Sequence, residues 1–204
     1  MAGGSASGDR ISDRRKRLRA AVDERRAILV PGAANALTAR VIQDVGFDAL
    51  YVTGAGIANT LLGVPDIGLV TLTELVHTTE AIGEICTLPM IVDIDTGFGN
   101  AVNTRRTVRV LERAGACAVQ MEDQVFPKKC GHFDGKGVIP VAEMVSKIKA
   151  AVDAREDSNL LVMARTDARA IEGLDAAIER AERYIEAGAD MTFVEAPTTE
   201  QEMR

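Results

Sequence analysis

Ala114-Gly115-Ala116-Cys117-Ala118-Val119-Gln120-Met121-Glu122-Asp123-Gln124 holds the turn that decides the fold of this chain. Ahead of it, residues 104–114 carry a helical pattern that stops at Gly115. A glycine just past a helix end is the usual left-handed cap, because it adopts that backbone without a side-chain penalty. Beyond the glycine, residues 118–122 form a near-continuous apolar run, as expected of a strand covered on both faces. Two acids, Glu122 and Asp123, close the run. The same helix, glycine, strand punctuation recurs at Val45-Gly46-Phe47-Asp48-Ala49 and at Ala187-Gly188-Ala189-Asp190.

Working outward, further strands are predicted at residues 28–30, 49–53, 90–95, 160–165 and 191–195, and helices at 34–45, 72–85, 141–154 and 174–187. Strict β, α alternation with short loops means an α/β protein with a parallel sheet, either open or closed into a barrel. Two features favour the barrel. Polar and charged residues collect at the C-terminal end of every strand after the first, where a barrel builds its active site. The first strand is followed by no Gly-x-Gly-x-x-Gly turn, which deprives a dinucleotide-binding open sheet of its best signature.

Six units are legible, against eight in a complete TIM-type (β/α)8 barrel of about 250 residues. Thr199-Glu200-Gln201-Glu202 offers a capping box for one more helix just before the sequence stops at Arg204. The chain therefore reads as a barrel domain over residues 11–204, incomplete at its C-terminus after about six βα units, preceded by a disordered Gly/Ser-rich tail over 1–10. An additional helix is predicted over 13–25. Its Arg14, Arg15, Lys16, Arg17 and Arg19 read as a solvated face, with Leu18, Ala21 and Val22 packed on the barrel.

Composition narrows the function classes. The 204 residues are 47% apolar, enough for a substantial core. A net charge of −6 without long single-sign blocks argues against nucleic acid as a partner. Aromatics make up only 3% and tryptophan is absent, which leaves little to stack on a base. No apolar run approaches the ~20 residues of a membrane span. Three cysteines, Cys86, Cys117 and Cys130, lie far apart, which fits a reducing cytoplasm better than a disulfide framework.

Four segments could carry chemistry. In Asp93-Ile94-Asp95-Thr96-Gly97-Phe98-Gly99, two acids two residues apart on a strand would share a face and converge. With Glu122, Asp123 and Glu195 on the same rim they call for a compensating cation, and an oxygen-only donor set suits Mg²⁺, or Mn²⁺, held partly through water. The alternative for any one acid is a helix cap or an arginine partner. In Pro127-Lys128-Lys129-Cys130-Gly131-His132, an extended backbone would turn Lys128, Cys130 and His132 to one side. Cationic neighbours favour a thiolate there and make Cys130 a candidate for proton transfer. Cys86 and Cys117 read as inert small hydrophobes and His77 as structural. Arg165-Thr166-Asp167 could clamp a carboxylate bidentately or neutralise Glu122 or Glu195. Tyr51-Val52-Thr53-Gly54-Ala55-Gly56 could offer backbone N–H groups to an anion.

Together these segments resemble the isocitrate lyase and phosphoenolpyruvate mutase superfamily. The Lys128-Lys129-Cys130-Gly131-His132 run is similar to the signature loop of isocitrate lyase and 2-methylisocitrate lyase. Tyr51–Gly56, Leu61-Leu62-Gly63-Val64-Pro65-Asp66, Asp93–Gly99, Glu122-Asp123-Gln124, Arg165-Thr166-Asp167 and Glu195-Ala196 match in order. Within the superfamily the loop resembles that of the shorter lyases of 2-alkylmalates and methylisocitrate. The resemblance implies a Mg²⁺-dependent carbon–carbon lyase that cleaves a 2-hydroxy di- or tricarboxylate into an α-keto acid and a carboxylate. It implies Asp93, Asp95, Glu122 and Asp66 around the metal, and Thr53, Gly54, Ala55, Arg165 and Gly131 at the substrate. Cys130 would be the acid, Lys128, His132 and Glu195 would order the site, and Tyr51 would handle the hydroxyl proton. A homotetramer is implied for the full-length protein. The family completes its pocket beyond Glu195 with an Asn and a Ser/Thr-containing segment absent from this sequence. The rivals are an oxaloacetate hydrolase or decarboxylase, a phosphonate P–C bond enzyme and, in another class, a catalytically inactive barrel fragment.

Overall fold

The computed structural model describes residues 5–130 and 135–203, so Gly131 and His132 of the signature loop lie outside the described residues. Its elements are α1 (Ser5–Asp23), β1 (Gly32–Ala33), α2 (Ala36–Val45), β2 (Leu50–Val52), α3 (Gly54–Ile57) with a π-helical turn over Ala58–Leu62, α4 (Leu72–Ile85), β3 (Met90–Asp93), α5 (Ala101–Arg113), β4 (Ala118–Glu122), α6 (Val141–Ala154), β5 (Leu161–Thr166), α7 (Arg169–Glu172), α8 (Leu174–Glu186) and β6 (Met191–Val194).

The six strands form one parallel sheet in sequential order from β1 to β6. This is the arrangement of a winding (β/α) arc, in which each helix packs over the sheet before the next strand. Helix ends obey the glycine rule: Gly46, Gly115 and Gly188 take φ of 97°, 102° and 105°. Strand parity then sorts the side chains. Val52, Met90, Val92, Val119, Met121 and Val162 point outward and join helix residues such as Ile42, Leu75, Ile82, Leu111, Met144 and Tyr184 in the main core. The alternate residues Ala49, Ile91, Ala118 and Leu161 point inward and form a second core with Leu18 of α1. That second core is the floor on which the inward polar residues stand.

Three expectations are corrected. The first strand is not residues 28–30 but Gly32–Ala33, because those two residues pair with Tyr51 and Val52. Ile28 and Val30 instead pack under the second core as irregular chain. Helix α1 begins at Ser5, inside the stretch read as a disordered tail. Once Leu18 docks the helix, each residue added at its end costs little and gains a hydrogen bond. Of the basic residues of α1, Lys16 and Arg17 are exposed as expected, but Arg14, Arg15 and Arg19 are not part of a solvated face. Arg14 and Arg15 are buried. Arg15 donates to the Ala116 and Glu112 carbonyls at 2.9 and 2.5 Å and pairs with Asp157 at 3.2 Å. Arg17 reaches the Thr87 carbonyl, and Arg19 the Ser158 carbonyl and Asp190. The basic cluster fastens α1 across the N-terminal end of the sheet by capping carbonyls that the short loops leave unpaired.

Candidate active site

At the C-terminal ends of the strands lies a cavity of about 430 Å³, lined among others by Tyr51, Thr53, Ala55, Asp66, Asp93, Glu122, Lys128, Cys130, Arg165 and Glu195. Most of the residues singled out in the sequence thus meet in one place: Tyr51, Asp93, Glu122, Arg165 and Glu195 sit at inward positions at or just beyond strand ends, and Asp66, Lys128 and Cys130 arrive on loops. Gln120, Met163 and Phe193 also line it. Sequence reading passed over them although Gln120 shares strand parity with Glu122, as Met163 does with Arg165 and Phe193 with Glu195, which was the available signal.

The acids converge, but not by strand alternation. Strand β3 ends at Asp93, and Asp95 takes a left-handed φ of 47°. Its backbone N–H donates to Asp93 Oδ1 at 3.1 Å, so a turn brings the two carboxylates together. Gly54 approaches them from β2: a Cβ there would lie 3.2 Å from Asp93 Oδ2 and 3.4 Å from Asp95 Oδ1. The glycine is therefore needed for closeness to the acids. The short helix that it opens is capped by Thr53, whose Oγ1 accepts from the Gly56 N–H at 3.2 Å.

Lys128 enters this cluster from the loop after β4. Its side chain is 4% exposed, and Nζ lies 2.5 Å from Asp66 Oδ1 and 2.7 Å from Asp95 Oδ1. The second contact is close in distance but lies off the direction of a hydrogen bond, so Asp95 Oδ1 is neutralised by proximity while lacking a hydrogen-bond partner. Burial opposes the lysine's charge, yet Asp95, Asp93, Glu122 and Asp66 outweigh it and hold the ammonium protonated above its usual range. Burial, then the Asp93 charge, push the Asp95 carboxyl up to about 7 against the pull of Lys128. Glu122 is likewise raised well above the carboxylate range by burial, with Asp93 and Asp167 adding to it and Arg165 opposing.

The donor set fits a hard cation. Its atoms are carboxylate oxygens, and both Asp95 Oδ1 and Glu122 Oε1 are buried without a hydrogen-bond partner. Among the described residues no three His, Cys, Asp or Glu side chains form a ready cage. An ion there would keep part of its shell as water, the habit of Mg²⁺.

Across the cavity Arg165 is not a free clamp. Its Nε and Nη2 donate to Asp167 Oδ2 and Oδ1 at 3.0 and 3.1 Å. Glu122 and Glu195 stand 3.4 and 3.5 Å from the same guanidinium. Asp167 also takes Lys136 Nζ at 3.0 Å and is itself fully buried. The expectation that Arg165 neutralises the rim acids is met, and it keeps an edge toward the cavity. On the floor, Gln120 Nε2 donates to the Tyr51 hydroxyl at 2.6 Å. Burial first, then the Asp93 charge, hold the Tyr51 phenol protonated well above its usual value.

The second acid of the β4 end points elsewhere. Asp123 faces away from the cavity and accepts from Thr166 Oγ1, the Asp167 N–H and Tyr184 OH at 2.8, 2.9 and 2.7 Å, with Arg180 Nη1 at 3.4 Å. It ties β4, β5 and α8 together and lies outside the ion cluster.

Comparisons with known proteins agree on one family. Residues 18–204 match the family model described as phosphoenolpyruvate phosphomutase. The chain is 51% identical over 188 residues to the 2,3-dimethylmalate lyase of Eubacterium barkeri, covering 92% of this chain and 65% of that enzyme. It is 52% identical over 187 residues to the 2-methylisocitrate lyase of Aeropyrum pernix, covering 92% of this chain and 60% of that enzyme. It thus spans about two thirds of the length of these relatives. Among solved structures, a 2,3-dimethylmalate lyase superposes with a TM-score of 0.88 at 38% identity over 92% of this chain and 64% of that one. An oxaloacetate acetylhydrolase with 3,3-difluorooxalacetate gives a TM-score of 0.90 at 33% identity over 94% of this chain and 66% of that one. A phosphonopyruvate hydrolase with oxalate and Mg²⁺ gives 0.85 at 34% identity over 93% of this chain and 66% of that one.

Proposed function

The chain belongs to the phosphoenolpyruvate mutase and isocitrate lyase superfamily, and from that premise we propose that its site performs retro-aldol cleavage of a 2-hydroxy di- or tricarboxylate. The observation that carries the reading is that Cys130 lines the same cavity as Asp93, Glu122 and Arg165. Carbon–carbon cleavage needs an anion-holding side and a proton donor facing each other across the bond that breaks, and those residues offer both. Relatives at 51% and 52% identity named as lyases support it.

Asp93, Asp95, Glu122 and Asp66 would hold the divalent cation, Mg²⁺ or Mn²⁺. Bound there, it would supply Lewis-acid stabilisation of the oxygens on which negative charge accumulates. The chain's own residues do the rest. Arg165, the Thr53 hydroxyl and the backbone N–H groups of Gly54 and Ala55 bind the carboxylate of the α-keto half. Tyr51 handles the substrate's hydroxyl proton, accepting it while its own phenolic proton passes to solvent in the open cavity. The C–C electron pair leaves with the other half as a carboxylate enediolate, and the oxygen that lost its proton becomes the keto group. Cys130 then protonates the enediolate carbon through its S–H. Lys128 and Glu195 keep the acids and Arg165 in place.

The same reading proposes a cytoplasmic homotetramer with a small di- or tricarboxylate as its partner. No helix among the described residues is long and apolar enough to cross a membrane. Hydrolysis of oxaloacetate is the second reading, favoured by the TM-score of 0.90 to the acetylhydrolase. One experiment separates them: 2-alkylmalates, 2-methylisocitrate, isocitrate and oxaloacetate are offered with Mg²⁺, and products are identified by mass. An α-keto acid and a carboxylate from a 2-hydroxy substrate support the lyase. Oxalate and acetate from oxaloacetate alone overturn it.

A further inference from the structure

The Glu122-Asp123-Gln124 run ends β4 with three side chains that go three ways. Glu122 faces the cavity and Asp123 the α8 side, while Gln124, 1% exposed, turns into the loop that carries Cys130. Its Oε1 accepts from the Lys129 N–H at 3.0 Å, and its Nε2 donates to the Lys129 carbonyl at 2.9 Å. One primary amide thus takes both polar groups of a single backbone residue, immediately before Cys130. The peptide that joins Lys129 to Cys130 is held from its other edge as well, because the Cys130 N–H donates to the Asp66 carbonyl at 3.1 Å. Asp66 is the residue whose carboxylate grips Lys128. The root of the loop is closed by an antiparallel bridge between Gln124 and Val138 and by the Val125 N–H on the Gly137 carbonyl at 2.8 Å.

We propose that Gln124 is the positioning residue for Cys130: its amide clasps the Lys129 backbone and fixes the plane of the peptide from which the cysteine side chain projects into the cavity. A proton donor works only within a few tenths of an ångström of its target, and a loop supplies that precision only when its backbone is pinned from outside. A primary amide suits this task because it presents one donor and one acceptor in one plane, matching the N–H and C=O of a single residue. A carboxylate of the same shape offers acceptors alone and would face the Lys129 carbonyl with like charge. The clasp is read directly from the structure, whereas the acid role of the residue it places rests on the lyase reading.

The experiment is therefore chosen to need no turnover. Iodoacetamide labelling of each cysteine is followed by mass spectrometry of peptides, with buried Cys86 and Cys117 as internal controls. Gln124→Ala is expected to label at Cys130 at least five-fold faster than the unmodified chain at the same pH, with the two controls unchanged. Gln124→Glu is expected to behave like Gln124→Ala at pH 8. At pH 5 it should return to the unmodified chain's rate at that pH, since a protonated carboxyl again offers one donor and one acceptor. Cys130 labelling unchanged in both variants overturns the clasp, and so does a parallel rise at Cys86 and Cys117, which would make Gln124 a residue of the general fold. Should Gln124→Ala not fold, the pH-dependent return of Gln124→Glu decides alone. Failure of the substrate panel with normal clasp behaviour would instead discard the lyase reading.

Discussion

The Lys128 ammonium stands 2.7 Å from Asp95 Oδ1, inside the space that the rim acids enclose. In the proposed site a tethered cation thus sits where the acids would hold a divalent one, and the two would compete for the same oxygens.

Replacing that ammonium separates the two roles. Removing one partner of a largely buried pair costs about 3–5 kcal/mol, because the charge left behind is uncompensated. Lys128→Met should lower the melting temperature of the metal-free chain and enlarge the stabilisation that Mg²⁺ brings, since the ion no longer displaces a competitor. Melting curves with and without Mg²⁺ check this. An identical Mg²⁺ shift in variant and parent would show that lysine and ion do not share the acids.

Asp95 gives the site a pH dependence of known sign. Its carboxyl is raised to about 7 by burial and by Asp93, above the ~3.9 of an unfolded chain. A group whose folded value is raised contributes stability that is fully present below the unfolded value and is lost as pH climbs through the folded one. Without divalent cation the chain should therefore melt higher at pH 5.5 than at pH 8, and Asp95→Asn, which carries no titrating proton, should flatten the difference. A parent that is more stable at pH 8 would contradict the placement of Asp95 in a buried acid cluster.

Asp123 should behave as a structural acid. Its oxygens accept from Thr166, the Asp167 N–H and Tyr184, with Arg180 beside them. Asp123→Ala strands those donors and should cost about 3–5 kcal/mol of folding stability by denaturant titration. The loss should persist in saturating Mg²⁺, unlike that of Asp93→Ala, whose main deficit is expected in Mg²⁺ affinity by calorimetry. A fully Mg²⁺-rescued Asp123→Ala would move this residue into the ion site.

How much of this was legible in the sequence depends on what each residue answers to. Helices α4 and α6 and strand β4 lie at the boundaries read from periodicity, because local signals mark them. Thr71 and Glu74 make a reciprocal capping box, and Pro140 sets the start of α6. Four-residue helices such as Gly54–Ile57 and Arg169–Glu172 carry no periodicity and were invisible. The rim position of Asp93, Glu122 and Arg165 followed from strand parity alone. The left-handed turn at Asp95 did not, being imposed by the Asp93 carboxylate beneath its N–H. Likewise, nothing local told that the arginines of α1 would find carbonyls about a hundred positions along the chain. Asp167 and Gln124 were quoted within motifs but given no role of their own, and Lys136 was passed over, because their partners are set by tertiary contact.

Cys130 carries the final test, since the chemistry proposed needs a proton delivered to carbon. Cys130 lines the same cavity as Arg165 and the acids. A serine hydroxyl at the same position is a far weaker acid, so Cys130→Ser should reduce turnover of the 2-hydroxy substrate by about 10²–10⁴-fold, the usual worth of a placed general acid. Affinity for Mg²⁺ and for oxalate should change little, because Asp93, Glu122 and Arg165 are untouched. Burial raises the thiols of Cys86 and Cys117 above their ordinary value, so iodoacetamide should reach Cys130 first, and oxalate with Mg²⁺ should slow it. A variant that keeps its turnover would leave the enediolate to be protonated from another side of the cavity, and the choice between lyase and hydrolase would turn on product analysis alone.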